Sequence, residues 1–333
     1  MSSMRRIVDL GPGLALVALV TLVAWGVERL EVHVFGNPFV DALVVAILLG
    51  TTLHTGFGLH PRARAGVHFA SKSLLELAIV LLGASISFRT IEQAGGRMIA
   101  VVALVVLLSL VISYTLSRLL GLPDKLATLV ACGNSICGNS AIVAAAPVID
   151  ARPEDVASSI SFTAGLGILV VLLLPLCVTV LGLNQWQYGV AAGLTVYAVP
   201  QVLAATHTIG AASVQIGTVV KLMRVLMLGP VVILLGLRSG RINGRRPALR
   251  DMLPWFIIGF LLMMGLHSFD LIPAATLGPL QTASTVLTVL SMAALGLSVD
   301  LRAVMTAGGR VLAAGTLSLI ALGCLSAVAL HLI

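Results

Sequence analysis

The sequence predicts an all-α polytopic membrane protein, and three features carry that prediction. Of its 333 residues, 59% are hydrophobic and only 10% are charged, whereas about a quarter of the residues in a soluble domain are charged. The apolar residues occur in long blocks, and a helix needs about 20 such residues to cross a bilayer. Glycine is frequent, with 33 residues, and small residues allow membrane helices to approach closely.

Eleven apolar segments are separated by charged loops or by loops that contain Pro and Gly. No loop is long enough to fold as a soluble domain, so residues 1–333 are expected to form a single transmembrane transporter domain in contact with the lipid bilayer. Arg5 and Arg6 precede the first segment, but no small-residue cleavage site follows it, so this helix is expected to be retained. The segments lie at approximately 10–27, 39–58, 73–88, 98–120, 126–149, 156–182, 188–209, 213–237, 253–272, 277–299 and 311–333.

Lys and Arg residues are distributed unevenly between alternate loops. The N-terminus and the loops on its side carry 14 of the 20, including Arg62, Arg64 and Lys72, whereas the opposite loops carry four. Because cytoplasmic loops are enriched in Lys and Arg, we expect a cytoplasmic N-terminus and an external C-terminus in the inner membrane. No basic stretch is interleaved with aromatic residues, so nucleic acid is not an expected partner. The four cysteines lack metal-ligand spacing, and neither a metal nor a cofactor is expected.

The fifth segment contains the strongest motif, in which Gly-Asn-Ser occurs twice, five residues apart. These residue types are unfavourable inside a helix, so the motif predicts a broken helix that lines a protein-buried cavity. The freed N–H groups and the Asn and Ser side chains are donors that suit an oxyanion. Close helix packing through small residues remains the alternative. The motif resembles a P-loop, but Asn139 replaces the required Lys. The candidate substrate-binding residues are Gly133, Asn134, Ser135, Gly138, Asn139 and Ser140.

The eighth segment carries two cations near its centre, Lys221 and Arg224. They are three residues apart and point to a similar face. Charges inside a membrane are costly and face a cavity or a partner. One interpretation pairs them with an acid from another helix, with Glu76 as the main candidate. The favoured interpretation is a small anionic substrate, because the eighth segment itself contains no acid.

Two further segments carry polar residues beside a proline. In the seventh segment, Pro200 interrupts the backbone hydrogen bonds, and Tyr197 and Gln201 are candidate lining residues; an ordinary kinked helix is the alternative. In the tenth segment, Gln281 follows Pro279. This segment is a candidate partner that crosses the fifth.

Residues 83–97 are similar in sequence to residues 296–310, at a constant offset of 213. The helices that carry the two stretches run in opposite directions in the predicted topology, as in the inverted repeats of secondary transporters. Chance recurrence of small residues at helix ends is the alternative. A shift of seven helices does not fit a simple duplication of five.

From about residue 40 onward, the chain resembles the YeiH-type sulfate exporters of bacterial inner membranes. The resemblance implies a fold similar to that of bile-acid symporters and sodium–proton antiporters, with inverted repeats and crossed broken helices. Many members of that family carry His-Glu in the seventh helix, where this chain has Tyr197-Ala198. The residues that carry the resemblance are 133–149, Glu154-Asp155-Val156, Val220-Lys221-Leu222 with Arg224, Pro254-Trp255-Phe256, and 292–298 with Asp300.

The expected function is secondary transport, in the export direction, of a small anion such as sulfate, sulfite or a sulfonate. The alternatives are an ion-coupled carrier of organic anions and a non-transporting membrane protein. An enzyme is not expected, because no nucleophile and base lie together at a suitable depth. Assembly into a homo-oligomer is left open.

Overall fold

The computed structural model describes residues 2–35, 41–86, 88–238, 255–302 and 308–332, and their regular structure is entirely helical. The helices are α1 (Ser2–Phe35), α2 (Ala42–Phe57), α3 (Pro61–Phe69), α4 (Leu75–Leu82), α5 (Phe88–Leu119), α6 (Asp124–Cys132), α7 (Asn139–Ala145), α8 (Pro153–Leu173), α9 (Leu176–Leu181), α10 (Gln185–Thr195), α11 (Val199–His207), α12 (Ala211–Leu226), α13 (Leu228–Arg238), α14 (Trp255–Ser268), α15 (Ala274–Leu297) and α16 (Gly309–Leu332). Side chains of residues 2–9, 35, 88–94 and 238 are outside the description.

Seven helical stretches of the described residues are long and apolar enough to cross a membrane, and α2 and α14 are shorter apolar helices. The all-helical fold and the multi-pass membrane character predicted from the sequence are therefore confirmed. The predicted fifth and seventh segments each fold as two helices separated by a break. The seven stretches are Leu10–Val34, Pro61–Ser85, Gly95–Leu119, Pro153–Leu173, Ala211–Leu237, Ala274–Leu297 and Gly309–Leu332.

The chain divides into two compact units. Unit 1 comprises Met1–Phe88 and Gly259–Arg302, and unit 2 comprises Arg89–Ile258 and Ala303–Ile333. In unit 1, α15 packs on α2 and α4, while α1 packs on α3. In unit 2, α10 packs on α12 and α16, and α8 packs on α6, α7 and α11.

The third apolar segment begins at Pro61, twelve residues before the predicted boundary at residue 73. The His60 side chain caps this helix by accepting from the backbone N–H of Arg62, and Pro61 suits a first helical turn. Arg62 and Arg64 are exposed, whereas Gly66 faces α1 so closely that a Cβ atom there would lie 2.3 Å from the carbonyl oxygen of Leu10. The basic residues on the exposed face lower the hydropathy of α3, so this amphipathic helix was not recognised as part of the apolar segment.

The tenth segment is one continuous helix, α15, despite Pro279. It belongs to unit 1. The crossing of the fifth segment by the tenth stays a prediction. Pro279 lies within the first two turns of α15, where the loss of one N–H disturbs few helical bonds.

The same offset of 213 relates the boundaries of helices that lie well outside residues 83–97 and 296–310. α2 begins at residue 42 and α14 at 255, α3 begins at 61 and α15 at 274, and α5 and α16 end at 119 and 332. Gly95 and Gly308 both have positive φ, at 68° and 100°. When residues 42–119 are aligned with 255–332 without a gap, 20 of the 78 positions are identical. One offset therefore relates the boundaries of three successive helical segments to those of three later ones.

The close contacts in unit 1 exchange under the same offset. A Cβ atom on Gly83 would lie 2.4 Å from the carbonyl oxygen of Phe260, and one on Gly296 would lie 2.3 Å from that of Ile47. Residues 47 and 83 correspond to 260 and 296, so each pair maps onto the other. This exchange of partners is what a twofold relation between the two copies produces.

We expect Gly296→Ala to destabilise the protein by about 1–3 kcal/mol, because the added methyl group has no room against the α2 backbone. Gly83→Ala should have a comparable effect at the related contact. Gly278→Ala on the same helix α15 is the matched control, since nothing lies within 4 Å of its Cβ position. Thermal unfolding in detergent measures the differences, and equal unfolding temperatures for the Gly296 and Gly278 variants would contradict the packing argument.

Candidate functional site

The break of the fifth segment lies between α6 and α7. Gly133–Cys137 form a π-helical turn, and Gly138 follows with φ 68° and ψ −125°. A side chain is strained in this conformation, and a Cβ atom on Gly138 would also lie 3.2 Å from Cβ of Tyr197. The second glycine of the repeated motif is thus required by the break itself. Residues 133–138 are all buried.

The break of the seventh segment lies between α10, which ends at Thr195, and α11, which begins at Val199. Pro200 has no N–H, so it cannot make the helical bond to the carbonyl of Val196. The Gln201 side chain accepts from the backbone N–H of Ala198 at 3.2 Å and caps the new helix. Gln201 packs directly on Gly167 of α8, where a Cβ atom would lie 2.5 Å from Nε2.

Lys221 joins the two breaks. Its Nζ atom donates to the carbonyl oxygen of Ile136 at 2.6 Å and to that of Val196 at 2.9 Å. In uninterrupted helices these carbonyls would accept from residues 140 and 200. The side chain of Lys221 is fully buried, so it supplies hydrogen bonds where water is absent.

Arg224 completes the same cluster from one turn further along α12. Its Nε atom donates to the carbonyl of Ser135 at 3.2 Å, and Nη2 donates to that of Asn134 at 3.0 Å. Its Nη1 atom lies 3.1 Å from the carbonyl oxygen of Gly193 and 3.2 Å from that of Val196. Arg224 is also fully buried.

The partners of the two cations are therefore backbone carbonyls from both breaks. Within the described residues, neither Lys221 nor Arg224 lies in an ion pair with an acid. From the sequence, Glu76 and a substrate anion were the two partners considered, and backbone carbonyls are a third kind. Carbonyl oxygens carry partial negative charge and satisfy the donors, but they do not cancel two formal positive charges.

Asn134 connects the fifth segment by hydrogen bonds to three other parts of unit 2. Its Oδ1 atom accepts from the hydroxyl of Tyr197 at 3.0 Å, and its Nδ2 atom donates to Ser113 Oγ at 3.0 Å and to the Ser318 carbonyl at 3.2 Å. Asn134 is fully buried and Tyr197 is 2% exposed. In this conformation, both side chains hold the breaks in place.

The accessible side of the cluster begins one residue after Gly138. Asn139 is half-buried and Ser140 is exposed, as the start of α7 leaves the core. Asn139 Oδ1 lies 2.6 Å from Thr163 Oγ1 on α8, and Ala198 at the other break is also half-buried. These are the exposed and half-buried positions at the two breaks.

The predicted binding residues of the fifth, seventh and eighth segments thus come together in unit 2. Gln281 is an exposed side chain of unit 1. Sequence reasoning missed Ser113, Thr163 and Gly193, because they resemble ordinary small residues of apolar helices. Gly193 has a distinguishing contact only in three dimensions, where a Cβ atom would lie 2.6 Å from the carbonyl oxygen of Gly217.

Comparison with known proteins gives the family. Residues 12–315 match the family described as Conserved hypothetical protein 698. The chain belongs to this family. A UPF0324 membrane protein of Agrobacterium fabrum is 55% identical over 324 residues, covering 97% of this chain and 93% of the relative. A UPF0324 membrane protein of Brucella melitensis is 54% identical, covering 98% and 92%. One from Bacillus cereus is 35% identical, covering 96% and 90%.

The family name agrees with the coarse part of the sequence prediction. The relatives are named membrane proteins, as expected from the eleven apolar segments and the helical stretches found here. The chain is a multi-pass membrane protein of the UPF0324 family.

We expect Lys221→Met to destabilise this UPF0324 protein by at least about 1–3 kcal/mol, because the buried carbonyls of Ile136 and Val196 each lose a donor. Lys221→Gln should recover part of the loss, since an amide still donates hydrogen bonds. Lys125→Met is the matched control, because this Lys is 44% exposed in a surface ion pair with Asp150 and such pairs contribute little. Thermal unfolding of the three variants tests the role of the carbonyls; an unfolding temperature for Lys221→Met at or above that of the parent would refute it.

Proposed function

We propose that this protein is a secondary transporter of a small anion, with sulfate, sulfite or a small sulfonate as the substrate class and export as the direction. The observation that supports the proposal most is the uncompensated charge at the helix breaks. Two fully buried cations meet there, and their hydrogen-bond partners are neutral carbonyls.

A buried formal charge acts over a longer distance in the interior of a membrane protein than in water. The Lys221 and Arg224 charges therefore give the cluster a positive potential that favours an anion and opposes a cation. Both side chains are engaged with carbonyls and fully buried, so they act on the substrate through this field. Direct binding is assigned to neutral donors instead.

Asn139 and Ser140 are the proposed direct ligands, because they combine hydrogen-bonding side chains with accessibility. Lys221 bonds the carbonyl of Val196, two residues from the half-buried Ala198. Two residues of extended chain span at most about 7 Å, so Ala198 lies within roughly 10 Å of the Lys221 ammonium group, and a buried charge is screened much less over such a distance than an exposed one. An anion at the accessible side of the breaks would be held by neutral groups within the field of both cations.

The repeated helices support a transport function of the alternating-access type. If each of the eleven segments crosses the membrane once, a shift of seven helices places the two copies in opposite orientations. Inverted repeats of this kind build the symmetric halves of many secondary transporters. The same eleven crossings, with 14 of the 20 Lys and Arg residues on one side, support a cytoplasmic N-terminus and an external C-terminus in the inner membrane.

Flux of radiolabelled sulfate in proteoliposomes tests the proposal. Lys221→Gln should reduce flux at least tenfold, because it removes a charge but keeps a hydrogen-bond donor. Asn139→Asp should also reduce it, because a carboxylate at the accessible break repels the anion. Thr115→Val, at an exposed position of α5 where the hydroxyl bonds only its own helix, is the control with unchanged flux.

The panel of anions includes sulfite, methanesulfonate and a set of organic carboxylates as competitors. Competition by the carboxylates alone would favour an ion-coupled carrier of organic anions. Absence of flux and of thermal stabilisation with every anion would exclude the anion-transporter proposal, since a ligand that binds the folded state must stabilise it.

A further inference from the structure

The twofold relation within unit 1 is broken at one pair of related residues. His54 lies in the last turn of α2, and His267 lies in the last turn of α14, at the related position under the offset of 213. His267 Nδ1 lies 3.4 Å from the carbonyl oxygen of Ile86, which follows the end of α4 at Leu82. Among the described residues, the buried Nδ1 atom of His54 has no hydrogen-bond partner.

The corresponding acceptor for His54 is the carbonyl of Val299, because residue 86 corresponds to 299. The same backbone hydrogen bond occurs at both acceptors: Ile86 N–H donates to Gly83, and Val299 N–H donates to Gly296. The end of α2 lies near this second acceptor, since the Thr55 hydroxyl accepts from the N–H of Leu301 at 3.1 Å.

We infer that His54 and His267 make alternating contacts: His267 bonds the Ile86 carbonyl in the conformation described here, and His54 bonds the Val299 carbonyl in the opposite conformation. The inference rests on the proposed transport function, because alternating access supplies the second conformation. Alternating access in proteins built from inverted copies moves one copy against the other, and in this scheme the two copies exchange their local structures between the conformations. The contact made by one copy is then lost as the related contact forms in the other.

The two histidines have opposite effects on the conformational equilibrium under this scheme. A buried nitrogen without a partner destabilises the state in which it occurs, and a formed hydrogen bond stabilises its state. Removal of the His267 imidazole therefore favours the opposite conformation, and removal of the His54 imidazole favours the present one. The double substitution should return the equilibrium close to that of the parent.

The accessibility of residue 140 from the two membrane faces provides the measurement. Ser140→Cys is introduced into the full chain and labelled with a membrane-impermeant maleimide in right-side-out and inside-out vesicles. Labelling of the parent protein with Ser140 gives the background from the native cysteines. In this Ser140→Cys background, we expect His54→Leu and His267→Leu to change the ratio of labelling between the faces in opposite directions, each by roughly tenfold. The double variant should have nearly the same ratio as Ser140→Cys with both histidines present.

Conservative variants separate this role from a loss of folding. In His54→Asn and His267→Asn, the amide nitrogen can replace Nδ1 as a donor to a carbonyl, so both should retain the parental ratio. His68→Leu, at an exposed position of α3, should also leave it unchanged. If both leucine variants change the ratio in the same direction, or if neither changes it, the inference is overturned.

Transport by the parent protein is measured in the same vesicles and distinguishes the two proposals. Sulfate flux in the parent with unchanged labelling ratios in the variants would overturn the histidine inference alone. Opposite changes in labelling without flux of any anion would support the alternating contacts and contradict the anion-transporter proposal.

Discussion

The structure of unit 2 depends on the hydrogen bonds from Lys221 and Arg224 to carbonyls of the two helix breaks. A backbone carbonyl without a donor is costly inside a membrane protein, and the breaks free several of them within a small volume. Two long cationic side chains from one helix supply the missing donors. In return, the carbonyls accept hydrogen bonds from two buried cations that have no acidic partner among the described residues.

This mutual dependence assigns different roles to residues that look alike in the sequence. The first Gly-Asn-Ser of the fifth segment is structural, because Asn134 is buried and bonded to Tyr197, Ser113 and Ser318. The second Gly-Asn-Ser begins α7, where Asn139 and Ser140 reach the accessible side. A structural role thus accounts for the first half of the motif, and ligand binding is the role we propose for the second. The proposed anion site adjoins the structural cluster without replacing any of its contacts.

Much of this arrangement could be predicted from the sequence, because the signals were local. Glycine, Asn and Ser in the middle of an apolar segment indicate a break, and Pro200 marks the second one. Cations without an acid on the same helix indicate a functional cluster. The carbonyl partners of Lys221 could not be predicted, because which carbonyls are free depends on how two distant segments break and meet. The continuity of α15 could not be predicted for a related reason: a proline near the start of this helix leaves it intact, and only packing assigns the helix to unit 1.

The internal repeat illustrates why sequence identity persists at some positions and fails at others. At Gly83 and Gly296, a neighbouring carbonyl lies within about 2.4 Å of where a Cβ atom would be, so only glycine fits and both copies keep it. The partners at these contacts, Ile47 and Phe260, present backbone atoms, so their side chains were free to diverge. Positive φ imposes the same restriction at Gly95 and Gly308. The similarity between the two stretches therefore includes Gly83, Gly95, Gly296 and Gly308, where the geometry of the backbone favours glycine.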